Sequence, residues 1–276
     1  MLKHAQDNKY AVPAFNFDNL EILKGIILAA EQEHSPVIIM ATASAIKFMG
    51  LDYTLAIANN AINTATVPVV LHLDHCFDPH FIKTKVTTAF GSVMLDWSKY
   101  SLKENIEKTK EIVQFAAPLG IAVESEIGHV GGKEDDMNSD TNIYTNIDEA
   151  ILFRNKTNIN ALAISVGTQH GEYQGKPVLQ IDLIKQIASK MPEIPLVLHG
   201  ASGVDDEQLA LAINAGICKV NMGTDLKIAY AQSLKDSFKN DPKLFDARIF
   251  GQTAIEAVAI VARTKIIACF ANNKAK

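Results

Sequence analysis

Short apolar runs recur along the chain, and a stretch with apolar residues at every third or fourth position follows most of them. The runs are Tyr10–Phe15, Pro36–Met40, Pro68–Leu73, Ser92–Leu95, Ile121–Val123, Ala161–Val166, Pro195–Leu198 and Ile217–Val220. They are nearly continuous in hydrophobicity, the pattern of parallel strands covered on both faces. Between them, Leu20, Leu23, Ile26, Ile27 and Ala30 of "LEILKGIILAAEQ" share one helical face. Leu102, Ile106, Ile112, Val113 and Phe115 do much the same in "LKENIEKTKEIVQFA". Alternation of this kind, with no Ser/Pro/Gly linker, predicts an α/β chain folded as one (β/α)8 TIM barrel over residues 1–276. One extra helix follows about Asp246. A doubly wound sheet would use the same alternation, so the count of eight carries the prediction.

Polar side chains gather where the apolar runs stop. Asp74 and His75 end the third strand, and Asp96 ends the fourth. Glu124 and Glu126 belong to the fifth, His170 follows the sixth, His199 ends the seventh, and Asn221 ends the eighth. In a barrel these positions share the C-terminal rim, where such folds place their chemistry. Any one of the histidines alone would read as a hydrogen-bonded structural residue. His75, His170 and His199 on one rim instead offer three imidazoles with an open fourth position, a donor set for Zn2+ or a similar ion. His72, one pleat deeper, reads as structural.

Glycines and hydroxyls in "LHGASG" and "NMGTD" point to a phosphate site built from backbone N–H groups between the last two strands. Ordinary turn and N-cap chemistry is the alternative for Ser202 and Thr224. Two long connections, 128–146 and 167–178, leave that same rim, and loops of this length are commonly lids or binding loops. Within the first, Gly131 and Gly132 read as flexibility, and Glu134, Asp135 and Asp136 as a solvated charge run.

Net charge is −5 with no basic run, which argues against nucleic acid or an anionic membrane as partner. Cys76, Cys218 and Cys269 are scattered without CxxC spacing, as in a reducing compartment. "MLKHAQDNKYAVP" lacks the apolar core of a secretory leader. Glu256, Arg263 and Lys265 interrupt the apolar stretch 254–271, which therefore reads as an amphipathic helix and not a span. The expected compartment is the cytoplasm.

Seven segments, "YAVPAFN", "HLDH", "SVMLD", "VESEIGHVGGKEDD", "GTQHGEYQGKP", "LVLHGASG" and "ICKVNMGTDLK", resemble in order the signatures of class II, metal-dependent ketose-bisphosphate aldolases. Tagatose-1,6-bisphosphate and fructose-1,6-bisphosphate aldolases are the main branches. The resemblance implies a (β/α)8 barrel, assembled as a homodimer or homotetramer. It implies reversible cleavage of a ketose bisphosphate to dihydroxyacetone phosphate and glyceraldehyde 3-phosphate. His75, His170 and His199 would bind the catalytic Zn2+. Asp74 would be the acid/base at the C4 hydroxyl. Glu134 would exchange the proton at the nucleophilic carbon, so the charge run becomes a catalytic loop. Asp96 and Glu126 resemble ligands of a second divalent position, and the family pattern leaves room for a monovalent cation. Asn16, Thr42, Gly171, Gly200, Ser202, Asn221, Gly223 and Thr224 match substrate and phosphate contacts.

The chain departs from that pattern at several points. Trp97 stands where a small residue is usual and Lys99 where a histidine is common. Thr42 replaces a serine. At Gly223 many fructose-specific members carry aspartate and tagatose-type members often a small residue, which tilts the reading slightly toward tagatose. The chain also begins later than most members, implying that a short N-terminal helix is missing. Rival readings are a Schiff-base aldolase using Lys219, a metal-dependent hydrolase, and a catalytically silent subunit or stabilising partner of another aldolase chain.

Overall fold

The eight apolar runs close into a parallel barrel in the computed structural model, which describes residues 1–134, 137–139, 142–171, 173 and 175–275, without the side chains of 133, 134 and 137–139. Its strands are β1 (Val12–Asn16), β2 (Val37–Thr42), β3 (Val69–Cys76), β4 (Ser92–Leu95), β5 (Ala122–Ile127), β8 (Ala161–Ile164), β9 (Leu196–Leu198) and β10 (Ile217–Met222). A small antiparallel hairpin, β6 (Gly132–Glu134) and β7 (Met137–Ser139), rises from the first long connection. Around the barrel the order is β1-β10-β9-β8-β5-β4-β3-β2, and β1 pairs with both β10 and β2 to close it.

The helices are α1 (Leu2–Asp7), α2 (Leu20–Gln32), α3 (Ala43–Met49), α4 (Leu51–Thr64), α5 (Pro79–Lys85), α6 (Leu102–Ala116), α7 (Ile147–Thr157), α8 (Ile181–Lys190), α9 (Asp206–Ala215), α10 (Thr224–Asn240) and α11 (Ala247–Ala268). Their ends follow local chemistry. Asn19 caps α2 by accepting from Ile22 N–H at 2.8 Å, and Ser101 and Glu104 form a reciprocal capping box on α6. Between β2 and β3 the chain makes two helices rather than one, because Gly50 at φ 87° breaks the run. A short helix, α1, precedes β1. Strands β3 and β5 run further toward the rim than their apolar runs suggested, because buried polar residues, Asp74 and His75 in β3 and Glu124, Ser125 and Glu126 in β5, continue them to Cys76 and Ile127. No helix among the described residues is long and apolar enough to cross a membrane.

The main core lies between the strands and the helices, while Met94, Ala161, Ala163 and Val197 form a second small cluster inside the barrel. The pairing register sets Lys219 level with Val197, Val197 with Ala163, and Glu124 with Met94 and Ala161. Paired residues of neighbouring strands point to the same side, so Lys219 and Glu124 also face inward. A lysine and a glutamate thus replace apolar filling in the middle of the barrel.

Helices α2 and α11 approach so closely at Gly25 that a Cβ there would lie 2.7 Å from Val258 Cγ1 and 2.8 Å from the Ile255 carbonyl oxygen. In an open helix Gly→Ala adds up to about 1 kcal/mol. Here the overlap outweighs that gain, and Gly25→Ala is expected to cost about 1–3 kcal/mol, read as a lowered Tm in a thermal melt. An unchanged or raised Tm would mean that α11 can move aside.

Candidate active site

Asp74 and His75 are consecutive, and in a regular strand they would face opposite sides. The register of β3 against β4 shifts between Leu73 and Cys76, and His75 adopts φ 38°. That left-handed residue breaks the alternation, so both side chains line one rim pocket. Such a conformation costs of order 1–3 kcal/mol, which the surrounding strands must supply.

Asp74 is buried at the strand end. Its Oδ2 accepts from Asn16 Nδ2 at 2.8 Å and its Oδ1 from Asn221 Nδ2 at 3.1 Å. Two amides from β1 and β10 therefore fix the carboxylate from both sides. Gly223 protects this arrangement, because a Cβ there would come within 2.8 Å of Asn16 Oδ1. His72 donates to or accepts from Ser92 Oγ at 2.7 Å, and burial first, then the charge of Lys219, push its pKa down to about 3. It is a neutral structural histidine at neutral pH, as expected.

The structure brings His75, His170 and His199 together. One ring nitrogen from each lies within 4.8 Å of the others, and all three residues are buried. The ring of His75 stands edge-on to His199 at 4.5 Å and to His170 at 4.8 Å between centroids. His199 Nδ1 has no hydrogen-bond partner among the described residues, and Glu126 Oε2 is 3.4 Å away. Buried imidazole nitrogens converging in this way fit a divalent ion of borderline softness.

Carboxylates stand behind two of the rings. His75 Nδ1 meets Asp96 Oδ2 at 2.9 Å, and Asp96 Oδ1 accepts from the Ser98 N–H and hydroxyl at 3.1 and 2.7 Å. Burial works against a charged Asp96, but the hydrogen bonds from His75 and Ser98 outweigh it and hold the carboxyl below the usual range. His199 Nε2 meets Glu124 Oε1 at 2.8 Å, and Glu124 Oε2 meets Lys219 Nζ at 2.7 Å. Burial opposes the charged Glu124 too; the lysine's charge and the His199 bond reverse that and set its pKa well below the ordinary carboxylate value. Burial and His75 disfavour a proton on His199, yet its hydrogen bond to Glu124 and the nearby Glu126 carboxylate raise its pKa overall. Glu126 also accepts from Val130 N–H at 2.9 Å. His75, Asp96 and Glu126 form a second cluster with ligand atoms within 4.8 Å. Trp97 and Lys99 turn away from it: the indole donates to the Phe77 carbonyl at 3.0 Å, and Lys99 lies over the Phe77 and Tyr100 rings.

His170 rides on a loop, and backbone contacts locate it. His170 N–H donates to the Gly131 carbonyl at 2.8 Å, and Gly132 bridges to His170. At Gly132, φ 102°, a Cβ would lie 2.2 Å from the His170 carbonyl oxygen. Gly132 is therefore required for close approach, which corrects its reading as plain loop flexibility. Gly200, φ 62°, is required likewise, with Gln169 O at 2.3 Å from an added Cβ. The side chain of Glu134 lies outside the described residues.

Thr42 ends β2 and caps α3, its Oγ1 accepting from Ala45 N–H at 3.2 Å. Gly171, Gly200, Ser202, Asn221, Gly223 and Thr224 all line the rim pocket with Asp74. The alternative reading of Ser202 and Thr224 as N-caps does not hold: Asp205 caps α9, and Gly223 stands at the N-cap of α10 without a side-chain bond. Ser202 instead accepts from Asp225 N–H at 3.4 Å, tying the loop after β9 to the start of α10. Lys227, unnoticed in the sequence, also lines the pocket, with Asp18 Oδ2 3.5 Å from its Nζ. Its signal was available as the lysine three residues beyond Thr224, one helical turn in.

A closed parallel barrel whose C-terminal rim joins three converging imidazoles, a clamped aspartate and glycine-rich turns at a helix start defines a metal-type enzyme of the (β/α)8 class. The family described as fructose-bisphosphate aldolase class-II matches residues 1–274. The chain belongs to the class II fructose-bisphosphate aldolase family, whose members are lyases and generally metal-dependent. It is similar to the YdjI aldolase from Escherichia coli K12, with 34% identity, TM-score 0.88, and 100% of this chain and 97% of that one covered. It is also similar to a candidate fructose-1,6-biphosphate aldolase from Coccidioides immitis, with 29% identity, TM-score 0.92 and coverage of 99% and 96%. A fructose-bisphosphate aldolase from Campylobacter jejuni, 23% identical with TM-score 0.82 and coverage of 99% and 94%, shares the fold.

Proposed function

We propose that this aldolase cleaves a ketose 1,6-bisphosphate, tagatose or fructose, reversibly to dihydroxyacetone phosphate and glyceraldehyde 3-phosphate. The observation that carries the reading is Asp74, clamped by two amides in a pocket it shares with His75 and His170. His75, His170 and His199 hold Zn2+ in this reading. When bound, the ion supplies Lewis-acid stabilisation of the charge that develops as C3–C4 breaks, worth several kcal/mol. Asp74 takes the proton of the C4 hydroxyl. The C4–O electrons form the aldehyde carbonyl, and the C3–C4 pair stays on C3. Glu134, carried by the hairpin, returns a proton to C3 to complete dihydroxyacetone phosphate. Gly200, Ser202, Gly223 and Thr224 hold a phosphate at the N-terminus of α10, with Gly171 beside them; Asn16 and Asn221 keep Asp74 aimed, and Thr42 borders the pocket. His75, Asp96 and Glu126 are the second divalent position.

The tilt toward tagatose rests on Gly223, which offers no carboxylate to the substrate and leaves Asn16 undisturbed. A homodimer or homotetramer in the cytoplasm belongs to the same reading. Lys219 is ill placed for a Schiff base: its Nζ is engaged by Glu124, and it lines a separate cavity of about 420 Å3 at the barrel's N-terminal end with Met1 and Leu2.

A coupled assay of kcat/KM on both bisphosphates tests the proposal. Tagatose 1,6-bisphosphate is expected to be the better substrate, with activity lost in EDTA and restored by Zn2+. Fructose preferred tenfold would end the tagatose assignment. If neither is cleaved with zinc present, the silent-subunit reading replaces this one. Inactivation by borohydride plus substrate would return Lys219 to the chemistry.

A further inference from the structure

Inside the barrel, three side chains from three strands or strand ends form one chain of contacts: Lys219 Nζ to Glu124 Oε2 at 2.7 Å, and Glu124 Oε1 to His199 Nε2 at 2.8 Å. Each is at most 3% exposed. Buried charged pairs seldom add stability over apolar filling, and this one sits among Met94, Ala161, Ala163 and Val197, where filling was available. Its presence calls for another purpose. An imidazole whose one nitrogen donates to a carboxylate offers its lone pair from the other. With Nε2–H directed at Glu124, the nitrogen left for the histidine cluster is Nδ1, which has no hydrogen-bond partner among the described residues and lies 3.4 Å from Glu126 Oε2. Lys219 holds the second oxygen of Glu124, so the carboxylate has one remaining direction in which to act.

We propose that Glu124 and Lys219 are positioning residues that fix the ring of His199 and present its Nδ1 to the metal, so that a pair of residues in the barrel interior sets metal affinity at the rim. This rests on the proposed ligand role of His199. Neither residue touches substrate. Asp96 stands behind His75 in the same way, but from the rim.

The test is zinc affinity of the whole protein, measured by competition with a chromophoric chelator, together with the visible spectrum of the cobalt-substituted protein. The double variant Glu124→Leu/Lys219→Met removes both charges and leaves none unpaired, so a merely structural pair would be replaced without effect on the metal. The expected result is a folded protein whose Tm is not lowered, whose zinc affinity falls 10–100-fold, and whose cobalt bands shift. Glu124→Gln, which keeps the volume, is expected to lower affinity in the same direction and covers the case in which the double variant does not fold. Zinc affinity within twofold of the parent in a folded double variant overturns the inference and leaves the aldolase reading standing. Loss of zinc binding by the parent protein itself, or zinc retained at full affinity in His199→Ala, overturns both.

Discussion

Asp74→Ala is expected to lower kcat for aldol cleavage by roughly 10²–10⁴ while the protein keeps its full complement of zinc. Asp74 accepts hydrogen bonds from Asn16 and Asn221 and is not one of the three converging imidazoles. Removing its carboxylate takes away the base for the C4 hydroxyl and leaves the donor set intact. The two amides that lose their acceptor face the pocket, where water can replace it, so the fold should survive. Steady-state kinetics and metal analysis on one preparation check both halves of the statement. Equal loss of zinc and activity would make Asp74 part of the metal site and end its assignment as the proton acceptor.

His75→Ala should fail in a different way. It deletes one of three nitrogens and also strands Asp96, whose Oδ2 is bound to His75 Nδ1. We expect bound zinc to fall to background and activity with it, with no recovery on adding zinc at concentrations that restore the EDTA-treated parent. Alanine must also adopt the left-handed backbone at 75, φ 38°, so some stability is lost as well. His75→Asn, better suited to that conformation, separates the two effects: it should fold like the parent and still bind zinc weakly. A zinc-loaded His75→Ala would refute the ligand set.

The contrast between these neighbours shows how far the chain could be read in advance. Strand identity was legible because burial on both faces writes a continuous apolar run, and the rim was legible because strand ends are where polar residues interrupt it. Adjacency of Asp74 and His75 was visible, but how two consecutive residues could serve one pocket was not. That depends on a slipped register against β4, a property of two strands together. Glu124 was visible only as a polar residue on the fifth strand. Its partners stand 75 and 95 residues away, and no spacing rule connects them. The same holds for Asn16, which is 58 residues from the aspartate it clamps. Ser202 and Thr224 left two readings open, a phosphate site or local caps. The N-caps prove to be Asp205, three residues after Ser202, and Gly223, one before Thr224, positions that the motifs alone do not fix.

Rim loops of a barrel are ordinarily free to lengthen, shorten and diverge one at a time. The two long ones here are not. Gly131 and Gly132 of the first share backbone contacts with His170 of the second, and at Gly132 the approach leaves no room for even a methyl group. Length changes in either loop are therefore felt by the other, and the two must vary as a single heritable unit. Loop exchange with a relative should succeed when both segments are transplanted together and fail when either travels alone.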